Sequence, residues 1–151
     1  MIEIVPAQAR HINRIANNMR PIDVLECAGL GLKPKTALRH GLMSSFLCWT
    51  GLLDGEPEAM FGVSTISLLE NTGCPWLLLT NKGGLEHRAL VRFGKIYTEA
   101  LHKQYAMLHN HVHADNHRAI RWLSRLGYAV GPVDVLNGQP MRPFVLSSGG
   151  L

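Results

Sequence analysis

A chain of 151 residues fits one domain and is long enough to bury a substantial core. Apolar residues make up 46% and charged ones 17%, a balance that excludes a disordered chain, and no apolar run reaches the ~20 residues of a membrane span. The net charge of +4 permits an acidic partner, yet the Lys and Arg are scattered rather than massed, which disfavours nucleic acid. Cys27, Cys48 and Cys74 are odd in number and form no CxxC pair. They read as buried thiols in a reducing compartment. The opening MIEIVPAQAR lacks a basic stretch followed by an apolar one, so secretion is not expected.

In chain order, IEIV (2–5) predicts a short strand ended by Pro6. Ile12, Ile15, Ala16 and Met19 mark a helical stripe, with His11, Asn13, Arg14, Asn17 and Asn18 on its wet side, and Pro21 breaks it. IDVLECAG predicts a second helical piece stopping at Gly29, and a third starts after Pro34. The turn signature DGEP between SFLCWTGLL and EAMFGVSTISL predicts a hairpin over 46–69. PWLLLT (75–80) suits a central strand covered on both faces.

NKGG then leads into a long helix over 85–103, with the apolar line Leu85, Ala89, Phe93, Ile96 and Ala100. MLHNHVHA alternates and predicts the next strand. ADNHRAIRWLSRLGY (114–128) follows as a capped helix whose Arg118, Arg121 and Arg125 share a solvated face. Two late runs, YAVGPVDVL and RPFVLSS, flank the turn NGQP. The strand–helix–strand passage at 75–114 implies a parallel pair with a right-handed crossover. The class is α+β (α/β layered), a mixed sheet between helices, in a single domain over 1–148 with a short flexible tail at 149–151.

The block NHRAIRWLSRLGY (116–128), together with this element order, resembles the signature at the acyl-CoA site of the GNAT superfamily, the Gcn5-related N-acetyltransferases. More narrowly, PWLLLT (75–80), LEHRA (85–89), Asn110 with Val112, and IRWLSRLGY (120–128) are similar to small GNAT-like proteins of tailed bacteriophages, the internal virion protein A type. RPIDVLE (20–26) and LLDGEPEAMFGV (52–63) fit the same group. The resemblance implies the acyl-CoA N-acyltransferase fold, with about six to seven strands, and transfer from acetyl-CoA or another acyl-CoA to an amine acceptor of unknown identity. It equally accommodates a non-catalytic scaffold, a virion or morphogenesis protein or a binder of a host protein, located in host cytoplasm or virion. A homo-oligomer is left open, and neither a membrane nor a metal is expected.

Carried onto this chain, the resemblance puts the pantetheine arm along residues 77–80, with Leu78, Leu79 and Thr80 holding it by backbone groups. It puts the pyrophosphate at Asn81, Lys82, Gly83 and Gly84, where a helix N-terminus favours an anion and Lys82 adds positive charge. Asn116 would line the cleft. The chain departs from the superfamily's pattern in three places. The phosphate turn is shorter than the usual R/Q-x-x-G-x-G/A, PWLLLT carries no carboxylate base, and the usual acidic Tyr is replaced by Leu123, preceded by Trp122.

The residues themselves offer other candidates. His109, His111 and His113 alternate along one strand face, where imidazoles can serve as bases near neutral pH. They stand about 7 Å apart, too far to share one metal, so His111 or His113 is read as a base rather than a ligand, or as core filler under a helix. Arg20, Asp23 and Glu26 at spacing three form either an intrahelical ion-pair ladder or, with Trp76, an acceptor or partner site. Trp49 and Trp76 are expected as core or semi-buried anchors.

Overall fold

The computed structural model describes residues 2–85, 96–97, 99–101 and 103–147. Among these, eight strands form one mixed sheet. Strand β1 (Ile2–Pro6) pairs antiparallel with β2 (Ser45–Leu53), β2 with β3 (Glu56–Ser67), and β3 with β4 (Thr72–Leu79). Strand β4 runs parallel to β5 (Met107–His113), as the strand–helix–strand order requires. Strand β8 (Gln139–Ser147) pairs antiparallel with β5 and carries both β6 (Ala129–Val130) and β7 (Asp134–Leu136) on its far edge. The expected single run over 128–136 is thus two strands, because Gly131 and Pro132 interrupt the ladder between them.

The hairpin turns are dictated locally. Asp54–Gly55 and Asn137–Gly138 all have positive φ, the type I′ pattern that matches strand twist. Helices α1 (Ile12–Asn17), α2 (Pro21–Gly29) and α3 (Pro34–Ser44) pack on one face of the sheet. Prolines at the first turns of α2 and α3 lose no hydrogen bond there. Gly31, at φ 76°, ends α2 as a Schellman cap: its amide donates to the Ala28 carbonyl, and the Leu32 amide donates to that of Cys27. The core on this side joins Ile12, Ile15, Met19, Cys27, Leu38 and Met60.

On the opposite face α5 (His117–Arg125) and the helical residues 99–101 cover Val63, Leu108, Val112, Tyr128 and Phe144. The short helix α4 (Asn81–Leu85) begins directly at Asn81, so NKGG is the first turn of a helix and not a loop before one. Most of the long helix expected over 85–103, with Ala89 and Phe93, lies outside the described residues, as does the tail at 149–151. Where its end is described, Leu101 is buried and Tyr97 partly so, whereas Ile96 and Ala100 are exposed. Aromatic packing sets that phase: Tyr97 stands edge-on to Trp49 and Phe61, at 5.2 and 5.4 Å.

One further reading is corrected. His11 is buried, not wet, because it sits in a 3-10 turn before α1 and its Nδ1 accepts hydrogen bonds from the Thr50 hydroxyl (2.7 Å) and the Gln8 amide (3.1 Å). The stripe Ile12, Ile15 and Met19 is core as expected.

Candidate functional site

The parallel pairing of β4 and β5 ends after Gly73 opposite Leu108. Beyond that point the strands diverge, and Asn110 props the gap: its Nδ2 donates to the Pro75 carbonyl at 2.8 Å and its Oδ1 accepts from the His111 amide at 2.8 Å. A cavity of about 480 Å³ occupies the wedge and is lined by residues from both faces of the sheet. Its walls include Trp76, Leu77 and Leu78 of β4, Asn110 and His111 of β5, and Asn116, Ala119 and Trp122 at and in α5. The expectation of a strand covered on both faces therefore holds only in part: residues 75–78 are half-buried because the wedge runs beside them.

Hydrogen-bond parity along β4 shows what the wedge exposes. The Thr80 amide donates to the Glu58 carbonyl on β3, so Leu78 and Trp76 also turn their backbone groups to β3. Pro75, Leu77 and Leu79 turn theirs to the open edge. Asn110 takes the Pro75 carbonyl, while the Leu79 amide donates to Asp23 Oδ2 (2.7 Å) and its carbonyl accepts from the Arg20 amide (2.9 Å). Leu77 is left presenting an N–H and a C=O to the cleft.

Helix α2 bridges the split. Asp23, fully buried, caps the β4 edge at Leu79 and pairs with Arg20 at 2.7 Å. One turn on, Glu26 reaches the other strand, its Oε2 accepting from the His113 amide (2.9 Å) and its Oε1 from Asn116 Nδ2 (3.2 Å). The series Arg20–Asp23–Glu26 is therefore no simple ladder: its last carboxylate leaves the helix surface for the cleft. Burial, and then the neighbouring Asp23 charge, pushes Glu26 up to about 7. Burial raises Asp23 too, against the pull of Arg20.

Asn116 does two things here. Its Oδ1 accepts the Ala119 amide at 3.3 Å as the cap of α5, and its Nδ2 orients Glu26. The three arginines of α5 are exposed, as expected, and Arg118 reaches the cleft rim. Trp122 Nε1 is buried, lines the cleft and has no hydrogen-bond partner among the described residues. A buried donor without an acceptor costs about 1–3 kcal/mol, which a ligand carbonyl or water can relieve.

The two histidines part company. His113 is buried; its Nδ1 accepts from the Asp115 amide (3.1 Å) and its Nε2 bonds Gln139 Oε1 (3.0 Å), so both ring nitrogens are engaged away from the cleft. His111 lines the cavity, and burial followed by the neighbouring His109 lowers its pKa, leaving a neutral imidazole. Cys27 and Cys74 also line the cavity, but burial pushes their thiols up to about 12 and about 11, which removes them as nucleophiles. Trp76 is pinned as an anchor, its Nε1 donating to Ser45 Oγ at 2.8 Å and its ring lying against Gly41. No cluster of three His, Cys, Asp or Glu able to hold a metal occurs among the described residues.

The turn at the end of β4 is organised by protein contacts. Thr80 Oγ1 accepts the Gly83 amide at 3.0 Å, and the Asn81 amide donates to the Asn18 carbonyl at 3.3 Å. A Cβ on Gly83 would run into the Glu58 carbonyl, so packing already requires a glycine there. Glu58 is in turn held by Arg14 at 3.1 Å. Lys82 is exposed at the same turn.

These features define a fold class: a mixed sheet split between its parallel strands, as in the GNAT acyl-CoA N-acyltransferases. No family model and no curated protein matches the sequence. Among solved structures, the chain is similar to the aminoglycoside acetyltransferase AAC(6')-Ib in complex with ribostamycin and coenzyme A, at 12% identity and TM-score 0.69 over 97% of this chain and 93% of that one. It is also similar to a putative phosphinothricin N-acetyltransferase (10%, TM-score 0.69, 97% and 98%). A third likeness is to spermidine N-acetyltransferase from Vibrio cholerae in complex with CoA and spermine (9%, TM-score 0.69, 97% and 95%). At such identities the likeness speaks for the fold.

Proposed function

We propose that the protein is an acyl-CoA-dependent N-acyltransferase in which Glu26 removes the amine proton. The observation that carries this reading is the placement of one carboxylate, half-buried and raised to about 7, inside the wedge between the split strands. A base poised near the working pH is what transfer to an amine requires, since an ammonium must lose its proton before it attacks. The carboxylate missing from β4 is thereby supplied from α2.

The residues present fit an acyl-CoA. Leu77 offers an N–H and a C=O on the open edge, Trp122 an unpaired N–H, and Lys82 a positive charge beside the first turn of α4. Of the turn expected to hold the pyrophosphate, Lys82 and Gly84 are the members for that role, because the amides of Asn81 and Gly83 are already bonded. Leu78, Leu79 and Thr80 shape the strand while Leu77 presents the open backbone groups. When bound, acyl-CoA supplies a thioester whose acyl group an amine nitrogen takes with loss of one proton, releasing the CoA thiol. Asn116 and the His113 amide hold both oxygens of Glu26, so its proton-accepting lone pair is fixed in direction. The raised thiols of Cys27 and Cys74 favour direct transfer over an acyl-enzyme route.

Isothermal titration with acetyl-CoA tests the site. Micromolar binding abolished by Gly84→Asp, which sets a negative charge at the phosphate end, is expected. An absence of binding at millimolar acetyl-CoA sinks the proposal. A second reading, a scaffold of the phage virion or a host-protein binder, is favoured by one observation. Bulges at 45/47 and 65/67 expose Phe46 (72%) and Ile66 (55%), with Leu68 (89%) and Leu69 (100%) exposed just beyond. Either role would place the protein in host cytoplasm or virion, as its resemblance to phage proteins suggests.

A further inference from the structure

Resting on the acyltransferase reading of the cleft, we propose that the acceptor is a small primary amine on an apolar skeleton, aromatic or branched aliphatic, bearing a single positive charge. The sheet divides the cavity in two. On the α5 side lie Leu77, Val112, Ala119 and Trp122; on the α2–α3 side lie Leu30, Leu32, Ala37, Gly41, Trp76 and Leu78. The second half is where an amine must enter to meet Glu26 from the side opposite Trp122. Its shape is set by the chain itself. The Schellman cap at Gly31 ends α2 with Leu30, 47% exposed, and Leu32 on the cavity wall, and Gly41 lets the Trp76 ring lie flat against α3, where a Cβ would come within 2.5 Å of it.

Charge decides the class. Among the described residues Glu26 is the sole carboxylate on the cavity wall, and the Arg20 guanidinium there is already matched by Asp23 at 2.7 Å. A polyamine or aminosugar would bring two or more ammonium groups against apolar walls with one carboxylate to meet them, and a buried ammonium without a counter-charge is strongly disfavoured. One ammonium is tolerated, because it surrenders its proton to Glu26. An apolar body is favoured by the apolar surface it covers.

The test compares 2-phenylethylamine with spermine by release of CoA thiol from acetyl-CoA, after titration of acetyl-CoA alone. Wild type is expected to show kcat/KM at least about tenfold higher for phenylethylamine, and Leu32→Glu to narrow or invert that ratio. If acetyl-CoA binds and spermine is used as well or better, the inference is overturned while the acyltransferase reading stands. If acetyl-CoA does not bind, that reading fails, and titration of the two amines into wild-type protein decides the inference alone. Phenylethylamine bound and spermine not bound would support it; the reverse, or neither bound, would overturn it.

Discussion

Replacing Glu26 by Gln tests both the chemistry and the electrostatics of the cleft. The folded protein holds the Glu26 proton up to about pH 7, whereas the unfolded chain releases it near 4.5. Between those values the folded state binds more protons, so stability falls as pH rises from about 4.5 to about 7 and is level above. At about 1.4 kcal/mol per pH unit, that interval amounts to about 3 kcal/mol of destabilisation at pH 8. Gln does not titrate and escapes this loss. It has one acceptor oxygen, however, and both Glu26 oxygens are in use, one by the His113 amide and one by Asn116 Nδ2. One donor is therefore left short, at about 1–2 kcal/mol. The variant should be less stable than wild type by about that amount at pH 5, and as stable or more so at pH 8. Urea denaturation at the two pH values reads this crossover. With acetyl-CoA and an accepted amine, the variant should lose about 10²–10⁴ in kcat, and the rise in rate through pH 7 should vanish. A stability difference of the same sign and size at both pH values, or an unchanged pH–rate profile, refutes the reasoning.

Asn110→Ala removes the prop between the strands and both of its hydrogen bonds. It should lower stability by about 2–3 kcal/mol and weaken acetyl-CoA binding together, as followed by thermal melting and calorimetry. Trp122→Phe deletes a buried donor that has no partner, so the free protein should melt at the same or a higher temperature while acetyl-CoA binds several-fold more weakly. Unchanged affinity would remove Trp122 from the site. Gly83→Ala forces a methyl group against the Glu58 carbonyl and should cost about 1–3 kcal/mol whether or not acetyl-CoA is present. Destabilisation that acetyl-CoA fully reverses would instead mark Gly83 as a ligand contact.

Much of the frame was legible in the residues because its causes are local. Proline at the first turns of α2 and α3, the Asp54–Gly55 turn and the Asn116 cap each act within four residues, so short windows identify them. Helix phase was less secure. Ile96 and Ala100 looked like a buried line, yet Tyr97 and Leu101 face the core, since which stripe wins depends on Trp49 and Phe61 from distant strands. His11 was misplaced for a similar reason: its partner Thr50 lies 39 positions away.

The candidate site divides along the same line. Sequence alone marked Asp23 and Glu26 as a charged series, Asn116 as a helix start and PWLLLT as a central strand, because composition and spacing encode burial and capping directly. That a carboxylate from α2 enters a gap between two strands could not be read from it. The gap exists only because β4 and β5 cease pairing after Gly73, and what fills it is decided by how α2 lies across the sheet. Hydrogen bonds between groups 56 and 87 residues apart in the chain, one buried and one partly so, close that arrangement, and no local pattern specifies them.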